Sequence, residues 1–276
     1  MKTILFPTDF SVSANNALNY ALELAKITAA RLILLNAYQL PYSRADMIVS
    51  VMDILKEDSE AGLKATLDKI KQNPKFDGIR CETISRVGDV VSVSSELIQD
   101  LEIDLIVMGT KGASGLIETI IGSNTAGVIK SVKCPVLAIP EKAFYSVPHK
   151  IGFAYDLKEL ENPKDLRFLA HLAKLFNAEI QIYSVIAEAD QEAIDRSAVQ
   201  LKLSEYFRGI KLEIYFVVNG DIIDGIMKLV KANQPDWVVM VAKKYRLFES
   251  LFHSSMTKSM VFQTKKPLLV LHNYKS

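Results

Sequence analysis

Asp104-Leu105-Ile106-Val107-Met108 reappears as Asp236-Trp237-Val238-Val239-Met240, 132 positions later. At the same offset Gly88-Asp89 falls on Gly220-Asp221, Thr125 on Thr257, and Cys134-Pro135-Val136-Leu137 on Lys266-Pro267-Leu268-Leu269, with no gap. Upstream, Thr3-Ile4-Leu5-Phe6-Pro7-Thr8-Asp9 aligns with Lys150-Ile151-Gly152-Phe153-Ala154-Tyr155-Asp156 at an offset of 147. The two offsets make the first copy longer by about fifteen residues, an excess placed between Tyr38 and Asp77. An apolar strand, a Gly-Asp pair and a proline-led strand recurring in one order mark an internal duplication. The polar stretch from Glu141 to His149, with Pro140 and Pro148, is the expected boundary, giving domains 1–141 and 149–276.

Each copy alternates strand and helix. In the first, Thr3 to Phe6 reads as a short apolar strand, followed by Ala14, Ala17, Leu18, Ala21, Leu22 and Ala25 at helical spacing, with Ser11 or Ser13 as N-cap. Arg31 to Asn36 is a strand, Met47 to Ile70 a helix, and Arg80 to Ser85 a strand with one exposed face. Val90 to Asp100 is a helix, Asp104 to Met108 a buried strand, Thr125 to Val132 a helix and Val136 to Ile139 the last strand. Strands joined by helical crossovers form parallel sheets covered on both faces. The expected class is α/β: two tandem repeats of a five-stranded, doubly wound parallel sheet with strand order 3-2-1-4-5.

Composition narrows the function. The 276 residues are 49% hydrophobic and 24% charged, as in globular chains. Lys+Arg 33 against Asp+Glu 32 leaves +1, without the basic excess that sequence-independent nucleic-acid binding requires. Cys81 and Cys134 make no disulfide framework, and the four scattered histidines lack metal-ligand spacing. Ile4-Leu5-Phe6 before Pro7 is too short for a signal peptide, and runs such as Leu105 to Met108 fall far below the roughly 20 residues that span a bilayer. The expectation is a cytoplasmic protein with neither nucleic-acid nor membrane partners.

In a sheet of this order a ligand sits beyond the carboxyl ends of strands 1 and 4. The loops facing that crevice are Pro7-Thr8-Asp9-Phe10-Ser11 and the stretch from Gly109 onward. Gly109-Thr110-Lys111-Gly112-Ala113-Ser114-Gly115 and then Gly122-Ser123-Asn124-Thr125 place four of the twelve glycines within fourteen residues. Glycines permit positive φ and close approach to backbone amides. A helix opening at Gly122-Ser123 offers free N–H groups and the positive end of its dipole to an anion, with the Ser123 and Thr125 hydroxyls as further donors. A loop that merely turns, and a serine that merely caps, is the competing explanation. The pattern is neither a P-loop nor the dinucleotide fingerprint. Gly88-Asp89 reads as a turn and N-cap common to both copies and is not assigned to the site.

Gly109-x2-Gly112-x9-Gly122-Ser123 resembles the nucleotide signature of the universal stress protein family. Asp104 to Gly109, the opening Ile4 to Asp9 and the closing Cys134 to Leu137 are also similar to that family, over essentially the whole chain. The resemblance implies an adenine-nucleotide alpha-hydrolase-like fold and a site for ATP, or AMP or ADP, with Mg²⁺ compatible as a companion of the nucleotide and no metal ligands assigned. It implies that Pro7, Thr8 and Asp9 contact the adenosine part and that Asn36 and Ala37 hold adenine through backbone groups. Gly109, Thr110, Lys111 and Gly112 would form the ribose and phosphate loop, and Gly122, Ser123, Asn124 and Thr125 the phosphate cradle. Lys111 would neutralise phosphate charge, with a solvated loop lysine the equally simple reading. A helix-capping or turn-forming role stands beside the ligand role for Asp9.

The second copy departs from this pattern. Val241, Lys244, Leu247 and Ser254 stand where Gly109, Gly112, Gly115 and Gly122 stand in the first, leaving only Ser255 and Thr257 of the cradle, although Asp156 persists. A Cβ at those positions blocks the approach of phosphate, so the second copy is not expected to bind ATP in the family manner. Tyr245, Arg246, Phe248, Phe252 and His253 read as plugging the vacated pocket, or as a surface for another partner. The apolar last strands, Val136 to Ile139 and Leu268 to Leu271, would pair as an internal pseudo-dimer that buries both edges. A homodimer and other protein partners stay open. Nothing resembles a nucleophile with its base, and Asp9 is the one carboxylate near the phosphate loop, so the expectation is no enzyme, or at most a slow ATPase. The resulting reading is a stress-response protein acting as a nucleotide-dependent sensor or regulator. A nucleotide-free scaffold of paired domains is the alternative.

Overall fold

The computed structural model describes residues 1–39, 48–110, 122–155, 164–188, 195–242 and 266–272. The chain divides into two compact units, Met1–Tyr145 and Ser146–Ser276. In the first, β1 (Thr3–Pro7), α1 (Val12–Thr28), β2 (Arg31–Tyr38), α2 (Ile48–Lys71), β3 (Cys81–Val87), α3 (Val90–Asp100), β4 (Leu105–Gly109), α4 (Ser123–Ser131) and β5 (Val136–Ile139) follow in order. Every strand pairing is parallel, and the order is β3-β2-β1-β4-β5. Ile4 to Phe6, Leu32 to Leu35 and Leu105 to Val107 are at most 1% exposed, which is why these strands are continuous apolar runs.

β3, outermost in this unit, differs from the expected one-sided exposure. Glu82 and Thr83 are both exposed, as are Arg86 and Val87, because an edge strand is only partly covered.

The second unit repeats the plan with β6 (Lys150–Ala154), α5 (Lys164–Phe176), β7 (Glu179–Ile186), α6 (Arg196–Tyr206), β8 (Leu212–Val218), α7 (Ile222–Asn233), β9 (Trp237–Ala242) and β10 (Leu268–His272). Its strands lie in the order β8-β7-β6-β9-β10, again parallel. The extra length of the first copy falls where α2 runs 24 residues and α6 only 11.

The repeated Asp has a physical reason. Asp104 Oδ2 accepts the backbone N–H groups of Lys2 and Thr3, and Asp236 Oδ2 accepts those of His149 and Lys150. In each unit the carboxylate before the fourth strand ties down the start of the first. The Gly-Asp pairs behave as the sequence suggests: Asp89 accepts from Val91 and Ser92 N–H to cap α3, and Asp221 accepts from Ile223 and Asp224 N–H to cap α7.

The sheet faces differ. Ile33 and Leu35 on β2 and Ile84 on β3 correspond in register to Gln181 and Tyr183 on β7 and Tyr215 on β8. Tyr183 is buried, donates to Gln181 Oε1 at 2.7 Å and overlies Gly152, where a Cβ would come within 2.5 Å of its ring. Gly152 occupies the register of Leu5, so a lost side chain on one strand accommodates a ring from the next.

At the end of the first unit the chain is strapped to α1. Asn16 Nδ2 donates to the carbonyls of Pro140 (3.1 Å) and Ala143 (2.8 Å), and Tyr20 Oη donates to that of Phe144 (2.8 Å). The Tyr20 and Tyr145 rings meet edge to face at 5.2 Å.

Candidate functional site

β2 lies on one side of β1 and β4 on the other, so the winding reverses between β1 and β4. Beyond the carboxyl ends of these strands lies a cavity of about 100 Å³, the place where open parallel sheets bind ligands.

One wall is the turn after β1. Thr8 N–H donates to Leu35 O at 2.8 Å, and the buried Asn36 amide donates to Thr8 O at 2.7 Å. Asp9 is exposed at the cavity mouth, and its Oδ1 accepts from Ser11 N–H at 3.1 Å. Ser11 then caps α1 by accepting from Ala14 N–H at 3.2 Å. Asp9 therefore both shapes a turn and lines the cavity.

The opposite wall is the end of β4 and the start of α4. Gly109 does not adopt positive φ. The strand needs glycine there because a Cβ would lie 2.8 Å from Ser13 Oγ and 2.9 Å from the Ser13 carbonyl oxygen. The residue permits α1 to pack against β4, which differs from the expected turn. Gly122, at φ −61° and ψ 156°, is also in ordinary extended backbone. Thr125 departs from its expected part as a ligand donor: its hydroxyl donates to Gly109 O at 2.8 Å and is buried, latching α4 to β4.

α4 differs from the other helices whose starts are described. Ser11, Asp89, Asp195 and Asp221 cap α1, α3, α6 and α7 through their side chains, whereas α4 begins at Gly122 with no side-chain cap. Gly122 N–H donates to Thr110 O, and the first intrahelical bond runs from Ala126 N–H to Gly122 O. The first-turn residues Ser123, Asn124 and Thr125 line the cavity, so the positive end of the helix dipole opens into it.

Of the residues singled out from sequence, Pro7, Thr8, Asp9, Ala37, Gly109, Gly122, Ser123, Asn124 and Thr125 line this cavity together. Asn36 and Thr110 do not. Asn36 braces the β1 turn from behind, and Thr110 is buried with its N–H on Ile139 O at 2.9 Å. Lys111 and Gly112 lie outside the described residues, as do Asp156, Lys244, Leu247, Ser254, Ser255 and Thr257 of the second copy and its Tyr245, Arg246, Phe248, Phe252 and His253. Ala14, Val90 and Met108 are the other described residues of the lining. Their small or apolar side chains at core-like spacing carried no chemical signal in the sequence.

The two thiols are not poised for chemistry. Burial pushes Cys81 up to about 11 and Cys134 up to about 12, and neither lines the cavity. Among the described residues no three His, Cys, Asp or Glu side chains gather into a metal-binding group. No described helix is long and apolar enough to cross a membrane.

The universal stress protein family model matches residues 1–140 and again 148–272. A universal stress protein of Synechocystis sp. is 33% identical over 139 residues, 50% of this chain and 85% of that protein. The crystal structure of a universal stress protein from Archaeoglobus fulgidus has the same fold across 99% of this chain and 97% of its own, with TM-score 0.76 and 21% identity. Half of the chain (51%) also matches 92% of a universal stress protein family protein from Arabidopsis thaliana solved with AMP bound, at 20% identity and TM-score 0.37. With the family matched twice in succession, this chain belongs to the universal stress protein family as a tandem of two of its domains.

Proposed function

We propose that the first unit binds ATP or a related adenine nucleotide in the β1–β4 cavity, and that the protein acts in the cytoplasm as a nucleotide-dependent sensor or regulator of a stress response. One observation carries this reading: an uncapped helix start opens into a cavity at the reversal point of the sheet, with hydroxyl and carboxylate groups opposite it. Phosphates meet the first-turn amides of α4 and the Ser123 hydroxyl, where negative charge gains from the helix dipole. The ribose and base face Asp9, Thr8 and Ala37. Gly109 and Thr125 fix the geometry between them, and Lys111, adjoining Thr110 in sequence, supplies positive charge. Mg²⁺ bound with the nucleotide would neutralise phosphate charge.

Mass spectrometry of small molecules released on denaturing freshly purified protein, with calorimetric titration of ATP, tests the reading. Gly122→Val is expected to abolish binding while the protein stays folded, since φ −61° and ψ 156° suit valine. Neither co-purified nucleotide nor titratable binding would move the nucleotide-free scaffold ahead.

A further inference from the structure

Phe10 has φ 61°. Bulky residues occupy this left-handed region only where their surroundings enforce it, and such residues cluster at binding sites. Here the enforcement is visible. The Phe10 ring sits in a notch on α2 made by Gly62, where a Cβ would come within 2.6 Å of Cε2 and Cζ. Phe10 N–H donates to Thr8 Oγ1 at 3.0 Å, and its carbonyl accepts from Asn15 Nδ2 at 3.2 Å. α2 itself is held to the sheet by Ser59 Oγ, 2.7 Å from Ser85 Oγ on β3. The ring does not line the cavity, yet the turn it pins has Thr8 and Asp9 on one arm and the α1 cap, Ser11, on the other.

We propose that Phe10 is a positioning residue of the nucleotide site, and that α2, through the Gly62 notch, sets how tightly the site holds its ligand. The inference rests on the adenine-nucleotide reading of the cavity. With the ring seated, Thr8 and Asp9 are already oriented and binding pays no cost to order them. With the ring displaced, Phe10 relaxes to negative φ and carries the Asp9 carboxylate away from the mouth. The helix that lengthens the first copy thereby becomes a control element: whatever shifts α2 shifts affinity.

Titration of ATP into the full chain tests this with Gly62→Ala, Phe10→Leu and the double variant. Alanine is the better helix former, so Gly62→Ala does not weaken α2 by propensity. Its Cβ displaces the ring, and affinity is expected to fall about tenfold, the scale set by releasing one strained residue. Leucine lacks the Cε and Cζ atoms that the new Cβ would meet. Its side chain reaches the notch with fewer atoms, so Phe10→Leu is expected to weaken binding about threefold, and the double variant to match Phe10→Leu rather than the weaker Gly62→Ala. Circular dichroism confirms folding. Should Gly62→Ala not fold, Phe10→Gly, which frees the backbone and removes the ring, is expected to lose about tenfold instead. Native-like binding by Gly62→Ala (or by Phe10→Gly in its place), or a double variant no tighter than Gly62→Ala, overturns the inference while leaving the site intact. A native chain that binds no adenine nucleotide takes down the site and the inference together.

Discussion

The ends of β4 and β9 occupy the same place in the two units and are built differently. β4 stops at Gly109, whose bare Cα lets Ser13 approach and whose carbonyl receives Thr125. β9 carries Val241 at that position, 4% exposed, and runs on to Ala242. Around this difference the units match. The same carboxylate ties the first strand, the same aspartates cap the helices after the third strand, and the sheet order recurs. The two units share the carboxylate that ties the first strand and the caps that follow the third, and differ at the residue that ends the fourth.

The largest expected effect comes from making the first unit resemble the second at this point. Gly109→Val drives a branched side chain into the Ser13 backbone. ATP affinity should drop by at least about a hundredfold, ~3 kcal/mol, with about 1–3 kcal/mol lost from stability through overpacking. Titration and chemical denaturation check both, and native-like binding would show that the two strand ends are interchangeable. Next is the sheet face. Gly152→Leu should cost about 2–3 kcal/mol by meeting the Tyr183 ring. Gly152→Leu with Tyr183→Leu, which copies the first unit, should recover most of it in a double-mutant cycle. A smaller pair tests the shared part: Asp104→Ala and Asp236→Ala should each cost about 1–2 kcal/mol, equally, because each removes two charge-assisted backbone bonds. Unequal losses would break the equivalence of the two sheets.

The smallest effect is spectroscopic. The hydrogen bond to Glu213, then burial, pushes Tyr215 up to about 12 from its ordinary 10.0. The fold thus favours the neutral phenol, and that stabilisation is present below pH 10.0 and lost as pH rises through about 12. Ultraviolet titration of Tyr215→Phe should lack one late phenolate, which has no counterpart at Ile84 in the first unit.

Most of the architecture was legible because its cause is local or repeated. Short unbroken apolar runs at Leu32 to Leu35 and Leu105 to Val107, alternating with helical segments, fit strands buried on both faces, and the duplicated Asp104 and Asp236 mark equivalent joints. The glycine-led stretch and the turn after β1 announced the cavity by their position, since both follow the carboxyl ends of the strands between which the winding reverses. What stayed hidden depends on contacts distant in sequence. That Gly109 serves Ser13, that the Thr125 hydroxyl is already committed, and that Phe10 is bent to fit Gly62 are facts of packing with no periodic signature. Ala14, Val90 and Met108 were invisible for the opposite reason, since apolar residues on core-facing elements look the same whether they meet a neighbour or a ligand.

The strap from Pro140 to Tyr145 bears on any attempt to shorten this protein. A first half cut after Ile139 would keep every strand of its sheet but strip Asn16 and Tyr20 of their acceptors and Tyr20 of its aromatic neighbour. The helix so exposed begins beside the cavity. A trimmed version that fails to take up ligand would then report a damaged edge rather than a missing second half, so the shortest faithful version extends through Tyr145.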